Sequence, residues 1–156
     1  MKKINDFIEL KLGAHQHCSL FVSSRWDRIH QQIKELEVAL TTETKSSAGD
    51  KHETGRAMIQ LEREKLGRQL AEVEKMQQVM SKIGVQMPTH KIGLGNLVIT
   101  NTFNYYIAIS SGEFKLKDTS VFCISGGTPI GKLLLGKSVG DEFSFNQTTS
   151  SIVAIY

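Results

Sequence analysis

Two carboxylates at the start of a helix-forming stretch are the residues of this sequence best suited to chemistry. Asp50 and Glu53 are three positions apart and follow a run rich in serine and threonine. Residues at this spacing share one face of a helix, and carboxylate oxygens are ligands that Mg²⁺ prefers. Two carboxylates alone hold Mg²⁺ poorly, so we expect them to act only where a partner supplies the other ligands.

The same pair also has a purely structural use. An aspartate at a helix N-cap accepts a hydrogen bond from the backbone amide three residues on, and a glutamate at that position reaches back to the cap. Asp50 and Glu53 match this capping-box pattern. The spacing alone favours the cap, and one pair can serve both as cap and as metal ligand.

A phosphate-binding pattern occurs further along the chain. The run GKLLLGKS over residues 131–138 satisfies GxxxxGK[ST] letter for letter. A phosphate loop needs a small, flexible stretch between its glycines and a long helix after its lysine. Here lysine and leucines, which favour helix, fill the stretch, and residues 139–143 indicate a turn into a strand. We therefore predict no nucleotide site at this run.

The histidines and cysteines do not form a known metal-binding pattern. His15, His17 and Cys18 are neighbouring donors without a distant fourth ligand, which usually indicates exposed polar residues entering a helix. Cys18 and Cys123 are far apart and have no third partner, so we predict neither a zinc set nor a disulfide framework. Such cysteine usage is typical of a reducing, cytoplasmic setting.

The apolar spacing of the first half predicts the element that positions the two carboxylates. Apolar residues recur every three or four positions over 20–42 and 53–83, as in the seam of a coiled coil. Between these stretches TTETKSSAG has low helix propensity, so the helices should form an antiparallel hairpin with its tip near 42–52. The seam residues are Val22, Trp26, Ile29, Ile33, Leu36, Leu40, Ile59, Leu66, Leu70, Val73 and Met80.

Two details of the helical half carry expectations of their own. Residues 1–16 have a weaker apolar spacing followed by Gly13, which predicts a short extra helix near the base of the hairpin. Trp26 lies on the seam, where we expect a buried aromatic anchor.

The composition changes near Pro88. Residues 91–156 hold 8 of the 11 aromatic residues but only 5 of the 19 basic and 4 of the 16 acidic ones. Pro129 and Gly136 bracket a predicted short helix over 129–135. Short runs separated by turn residues predict a small antiparallel sheet, with strands at 96–100, 105–110, 113–116, 121–125, 142–145 and 152–156.

These patterns predict an α+β fold in two domains, a helical one over 1–87 and an α+β one over 88–156. A chain of 156 residues suffices for two small domains. Its net charge of +3, with acids and bases mixed, predicts no independent sequence-specific nucleic-acid binding. No stretch approaches 18 consecutive apolar residues and the first 21 lack a signal-peptide core, so we expect neither a membrane span nor export.

Two parts of the sequence together resemble the bacterial Gre-type transcript cleavage factors. One is the hairpin with Gly-Asp-x-x-Glu at its tip, and the other is TPIGKLLLGKSVGDE over residues 128–142. The family has Ser-Pro-Ile/Leu-Gly, a short helix and then Gly-Lys-x-Val-Gly-Asp, which also explains the phosphate-loop pattern. The resemblance covers roughly residues 18–156 and implies that the second domain is FKBP-like and the chain a divergent member.

The resemblance implies a protein that acts on RNA polymerase and makes no bond itself. In the family the FKBP-like domain docks at the mouth of the polymerase secondary channel, and the hairpin brings its tip acids to the active site. These acids help to hold a second Mg²⁺ and a water, so that the polymerase hydrolyses the 3′ end of a backtracked transcript. By motif position the tip acids are Asp50 and Glu53, and the docking turn consists of Thr128, Pro129, Ile130 and Gly131.

Two alternative functions stay open from the sequence. After its second acid the family reads Asn-Ala-Glu-Tyr, whereas this chain has Arg56 in place of the glutamate. That cation favours a regulator or inhibitor that occupies the channel without stimulating cleavage. A third function is an FKBP-like prolyl isomerase or chaperone, which needs an apolar, aromatic-lined hollow. The domain offers Tyr105, Tyr106 and Phe114 but too little surrounding loop to build one, so this function is the least favoured.

Overall fold

Two long helices precede a sheet. The computed structural model describes residues 4–44, 49–84 and 89–156, apart from the side chains of 43, 44 and 49–52. The helices are α1 (Ile4–Thr44) and α2 (Gly49–Ser81). The remaining elements are β1 (Leu97–Thr100), β2 (Asn104–Ala108), β3 (Gly112–Leu116), β4 (Thr119–Ser125), α3 (Pro129–Leu134), β5 (Glu142–Phe145) and β6 (Thr148–Ile155). The predicted α+β class is confirmed.

The six strands form one sheet in the order β3-β4-β2-β1-β6-β5. Four neighbouring pairs are antiparallel, as predicted. The exception is β2 with β4, which run parallel with Tyr105 opposite Phe122 and Ile107 opposite Ile124. This pairing arises because β3 turns back on β4 at the sheet edge, which leaves β4 between β3 and β2.

One face of the sheet packs against α3. Ile130 and Leu134, four positions apart and therefore on one side of the helix, are both buried there. Opposite them lie alternate residues of the strands, such as Val98 and Tyr105, which are partners across β1 and β2. The buried core on this face consists of Ile92, Val98, Tyr105, Ile107, Ile130, Leu134, Phe143 and Ile152.

The first turns of α1 cover the other face of the sheet. Leu10, Ala14 and Cys18 recur every four positions and are all buried. They face the strand residues that alternate with the α3 side, since Cys123 of β4 has its sulfur 4.0 Å from the Ala14 carbonyl oxygen. The sheet therefore has a helix on each face, although the sequence indicated only α3.

The expected short helix over residues 1–16 is wrong, because α1 continues without interruption from Ile4 to Thr44. Gly13 does not end a helix. A Cβ atom on Gly13 would lie 2.5 Å from the ring of Phe114 on β3, closer than non-bonded carbons approach. The glycine is therefore needed for the close approach of α1 to the sheet.

The chain packs as two compact units, Met1–Phe21 together with Gln78–Tyr156, and Val22–Gln77. In the second unit, residues 25–32 of α1 line a groove with 69–73 of α2, and residues 33–40 line another with 59–63. Later residues of α1 thus face earlier residues of α2, which is the predicted antiparallel hairpin. The division of the chain at residue 87 stays a prediction.

The seam of the hairpin is buried to different degrees along its length. Val22, Ile29, Leu66 and Val73 are buried, whereas Ile33, Leu36, Leu40, Ile59 and Leu70 are only half buried. Trp26 is not the buried anchor expected, because it is half buried with its ring centroid 4.1 Å from that of His30. Within the described ranges, no helix is both long and apolar enough to cross a membrane.

Candidate functional site

The backbone places the two predicted acids close together at the start of α2. Since α1 ends at Thr44 and α2 begins at Gly49, the chain reverses within the predicted tip. Asp50 lies in the first turn of α2 and Glu53 three positions later, so both occupy one face of the helix. The side chain of Asp50, and with it the predicted capping box, lies outside the described residues.

The surroundings of Glu53 are mixed in charge. Its side chain and that of Arg56 are both exposed, and residues three positions apart are neighbours on a helix surface. The guanidinium therefore competes with any cation for the carboxylate. Among the residues that the structure describes, no group of three or more His, Cys, Asp or Glu is placed to hold a metal. Two carboxylates are too few to hold Mg²⁺ alone, so the oxygen donors of Asp50 and Glu53 fit the ion only in a site that a partner completes.

The predicted docking turn is the N-terminus of α3. Thr128 is the N-cap, with a hydroxyl that donates to the Ser125 carbonyl oxygen at 2.7 Å and accepts from the Gly131 amide at 3.1 Å. Ile130 is buried in the core, and a Cβ on Gly131 would lie 2.3 Å from the Ser125 carbonyl oxygen. Pro129 is exposed. Three of the four residues therefore hold the turn together, and Pro129 is the most exposed of the four.

Three further apolar side chains in and just after α3 are exposed. Leu133 lies one helical turn further along α3, and Leu135 and Val139 follow the helix, with 36%, 42% and 57% of their surface exposed. The resemblance did not single them out. The four-residue spacing from Pro129 to Leu133 is the sequence signal that points to the first of them.

The phosphate-loop pattern is a helix and a turn, as predicted. Residues 129–134 form α3, and Gly136, at φ +82°, follows its end. The next residues turn at Gly140, at φ +91°, where the Asp141 carboxylate accepts from the Ser138 amide at 2.8 Å. The backbone then enters β5. No long helix follows the lysine, so the arrangement that cradles phosphates is absent from this run.

His15 and His17 are not the exposed residues expected at a helix entrance. They are half buried on the side of α1 that faces the sheet. The His15 Nδ1 lies 2.8 Å from the Tyr106 hydroxyl, and the His17 Nε2 donates to the Ser111 carbonyl oxygen at 3.0 Å. These two contacts hold α1 against the sheet. Burial of Tyr106 beside His15 raises the pKa of its hydroxyl.

The sheet contains the apolar hollow that the sequence argument excluded. It has a volume of about 360 Å³. Of the three aromatic residues expected, only Tyr105 lines it, while Tyr106 and Phe114 face α1. The expectation was wrong because strands distant in sequence supply the other rings. The apolar lining consists of Phe103, Tyr105, Phe122, Ile124, Ile130, Phe143 and Phe145.

No protein-family model and no curated protein matches this sequence. Solved structures similar to it include two of the same transcription factor. GreA factor homolog 1 (Gfh1) of Thermus thermophilus is 20% identical over 86% of this chain and 92% of its own, with a TM-score of 0.34. Another structure of the transcription factor Gfh1 is 18% identical over 92% and 94%, with the same TM-score. A TM-score of 0.34 is too low for this likeness to indicate a function of the chain.

Proposed function

We propose that this protein is a transcription elongation factor that binds RNA polymerase and inserts its helical hairpin into the secondary channel. The observation that carries the proposal is the presence of two parts in one chain. Asp50 and Glu53 share a helix face at the start of α2. Exposed apolar residues lie in and just after α3, namely Pro129, Leu133, Leu135 and Val139. The function needs both, an acidic pair at a tip and a surface for docking.

In this function Asp50 and Glu53 lend carboxylate oxygens to a Mg²⁺ shared with the polymerase active site. A Mg²⁺ bound there would supply Lewis-acid chemistry for hydrolysis of the transcript, namely polarisation of a phosphoryl oxygen and activation of a water. The protein makes and breaks no bond, because its contribution is limited to the two carboxylates. Polymerase groups supply the remaining ligands, since the acids of this chain are too few to hold the ion.

The proposal is tested by transcript cleavage in a backtracked complex of purified RNA polymerase from the same organism. We expect the wild-type protein to accelerate shortening of the transcript from its 3′ end and Glu53→Gln to lose that acceleration. Glu62→Gln is the matched control, because Glu62 is also exposed on α2 but more than two turns from the tip. Equal activity of Glu53→Gln and wild type would contradict a role for this carboxylate.

Asp50 separates the cap from the ligand. Asparagine can still cap a helix, so Asp50→Asn should keep most of the stability, whereas Asp50→Ala should lose about 0.5–2 kcal/mol if the cap exists. A metal ligand needs the negative charge, so Asp50→Asn should abolish stimulation of cleavage although the helix survives. A fully active Asp50→Asn variant would leave Asp50 as a cap only.

Docking is tested at the exposed apolar residues in and just after α3. Ile130 is unsuitable because it is buried, and a charge there would disrupt the core. Val139→Asp should weaken binding to the polymerase, since it places a charge in an apolar contact. Val153→Asp is the matched control on β6, because the two valines are 57% and 54% exposed. Equal binding by both variants would place the docking surface elsewhere.

The exposed Arg56 favours a second candidate, a channel-binding regulator that does not stimulate cleavage. Its charge lies beside Glu53 on the helix surface and weakens the attraction of the tip for Mg²⁺. This candidate predicts that the wild type slows elongation without shortening the transcript. It also predicts that Arg56→Glu gains cleavage activity, and an Arg56→Glu variant as inactive as the wild type would argue against this role of Arg56.

The apolar hollow favours a third candidate, an FKBP-like isomerase or chaperone that binds apolar peptide segments. A volume of about 360 Å³ lies within the range of ligand pockets. The test is the isomerisation rate of a prolyl peptide, with Phe103→Ala as the variant because Phe103 lines the hollow and is 55% exposed. No acceleration by the wild type would exclude the isomerase.

A further inference from the structure

The two cysteines of this chain, distant in sequence, meet between α1 and β4. Cys18 and Cys123 are buried, with 0% and 2% of their surface exposed. The Ser111 hydroxyl lies 3.3 Å from the Cys18 sulfur and the Ser111 amide donates to the Cys123 carbonyl oxygen at 3.3 Å, so one residue adjoins both cysteines, and neither is in a disulfide. This contact was not foreseen from the sequence, because nothing in the spacing of the cysteines indicates that α1 folds back onto the sheet.

The contact is held on both sides by other groups. The Cys18 sulfur lies 3.3 Å from the Ser111 hydroxyl, and the Cys123 sulfur lies 4.0 Å from the Ala14 carbonyl oxygen. Ala14 is one turn before Cys18 on the same face of α1. The His17 hydrogen bond to the Ser111 carbonyl oxygen at 3.0 Å fastens the same turn of the helix. The sulfurs are therefore kept side by side within a packed layer.

The two thiols are chemically unequal. Hydrogen bonds from the Cys123 thiol and the Ser111 hydroxyl stabilise a thiolate on Cys18 and lower its pKa, against the opposing effect of burial. The same hydrogen bond and burial raise the pKa of Cys123. The thiolate is the nucleophilic form of cysteine. Cys18 is therefore the first of the pair to react with an oxidant.

We propose that Cys18 and Cys123 are a redox-active dithiol that hydrogen peroxide converts into a disulfide between α1 and β4. In the first step the Cys18 thiolate attacks a peroxide oxygen, an S–O bond forms, the O–O bond breaks and hydroxide leaves. In the second step the Cys123 sulfur attacks the Cys18 sulfenic acid, an S–S bond forms and water leaves. In total two thiols are oxidised, one peroxide is reduced, and two waters are released.

Burial decides which oxidant fits. Hydrogen peroxide is small and uncharged, so it can reach sulfurs inside the layer when the packing fluctuates, whereas a glutathione-sized disulfide needs an exposed thiol. The disulfide forms when the two sulfurs approach to the bond length of about 2.05 Å. The resulting cross-link joins parts of the chain that are far apart in sequence, which is the case in which a disulfide restricts the unfolded chain most.

The test uses the full-length reduced protein treated with hydrogen peroxide and then unfolded in an alkylating reagent. Wild type should lose both alkylatable thiols, lose the mass of two hydrogens and remain monomeric on a non-reducing gel. Its melting temperature should rise by at least about 5 °C and return after dithiothreitol. Two alkylatable thiols after treatment, a mass gain of oxygen atoms without a disulfide, or a cross-linked dimer would each overturn the proposal.

The order of reaction is tested with single variants. Cys123→Ser should stop at a sulfenic acid on Cys18, which dimedone labels, because no second thiol is present. Cys18→Ser should give little labelling of Cys123, because burial still raises the pKa of that thiol. Equal or stronger labelling at Cys123 would reverse the assigned order. If a variant does not fold, the oxidation of Cys18 in wild type at short times, mapped by peptide mass after dimedone trapping, decides the same question. The proposed dithiol is independent of RNA polymerase binding.

Discussion

Three leucines of α2 provide a direct test of how the hairpin is stabilised. Leu66 is 2% exposed, Leu70 is half buried and Leu61 is 66% exposed. Each is replaced by alanine, so the chemical change is the same and only burial differs. Because leucine and alanine are both good helix formers, the intrinsic helix propensity changes little.

The expected losses of unfolding free energy follow from the burial. Leu66→Ala removes three carbons from a closed seam, which corresponds to about 2.4 kcal/mol at 0.8 kcal/mol per buried carbon. Imperfect closure of the cavity brings the total to about 2.5–3.5 kcal/mol. Leu70→Ala should lose about half the first amount, roughly 1.2 kcal/mol, and Leu61→Ala less than about 0.5 kcal/mol.

Urea unfolding followed by far-UV circular dichroism measures these losses. The urea concentration at the midpoint should fall least for Leu61→Ala, more for Leu70→Ala and most for Leu66→Ala. The slope of the transition should stay constant. A Leu66→Ala variant no less stable than Leu61→Ala would refute the reasoning, because the seam would then not stabilise the helices. A changed slope would instead indicate that the unfolding of the hairpin has become uncoupled from that of the sheet.

The other predictions concern the sheet and its helices. Thr128→Ala removes the cap of α3 and should cost about 0.5–2 kcal/mol in urea unfolding, whereas Thr128→Ser should retain most of it. Gly131→Ala places a Cβ against the Ser125 carbonyl oxygen and should cost about 1–3 kcal/mol by the same measurement. Burial raises the pKa of Tyr106, so its contribution to stability is complete below about pH 10 and is lost as the pH rises further, because the unfolded chain loses the proton first. Stability measured from neutral to alkaline pH should therefore fall less steeply in Tyr106→Phe, and identical slopes would show that another group controls the alkaline loss.

Local sequence features determined the type and approximate extent of most elements. The apolar repeat predicted helices over 20–42 and 53–83, and the structure is helical over all of 20–42 and over 53–81. Pro129 and Gly136 predicted α3 to within one residue. These features succeed because propensity, periodicity and capping depend on residues a few positions apart, so the chain carries them before it folds.

For the candidate site, the sequence predicted the local backbone roles of the residues but not their burial. Glycine, proline and threonine at the α3 turn could be recognised from their order, because each has a local backbone role. Their exposure could not, and Ile130 proved to be a core residue while Val139 is exposed. Burial depends on which strands meet the helix, and local order does not specify that.

Only the tertiary structure decided which residues of different elements contact each other. The sequence predicted that Gly13 ends a helix, whereas in the structure it lies inside α1 against the ring of Phe114. The sequence also indicated no partner for Cys18, whereas the fold places Cys123 of β4 against the same part of α1. In the same way Phe143 and Phe103 come together in one hollow. The physical reason is that such contacts join residues far apart in the chain, and they form only when the whole set of elements packs, whereas each element's own preference is set by its neighbours in sequence.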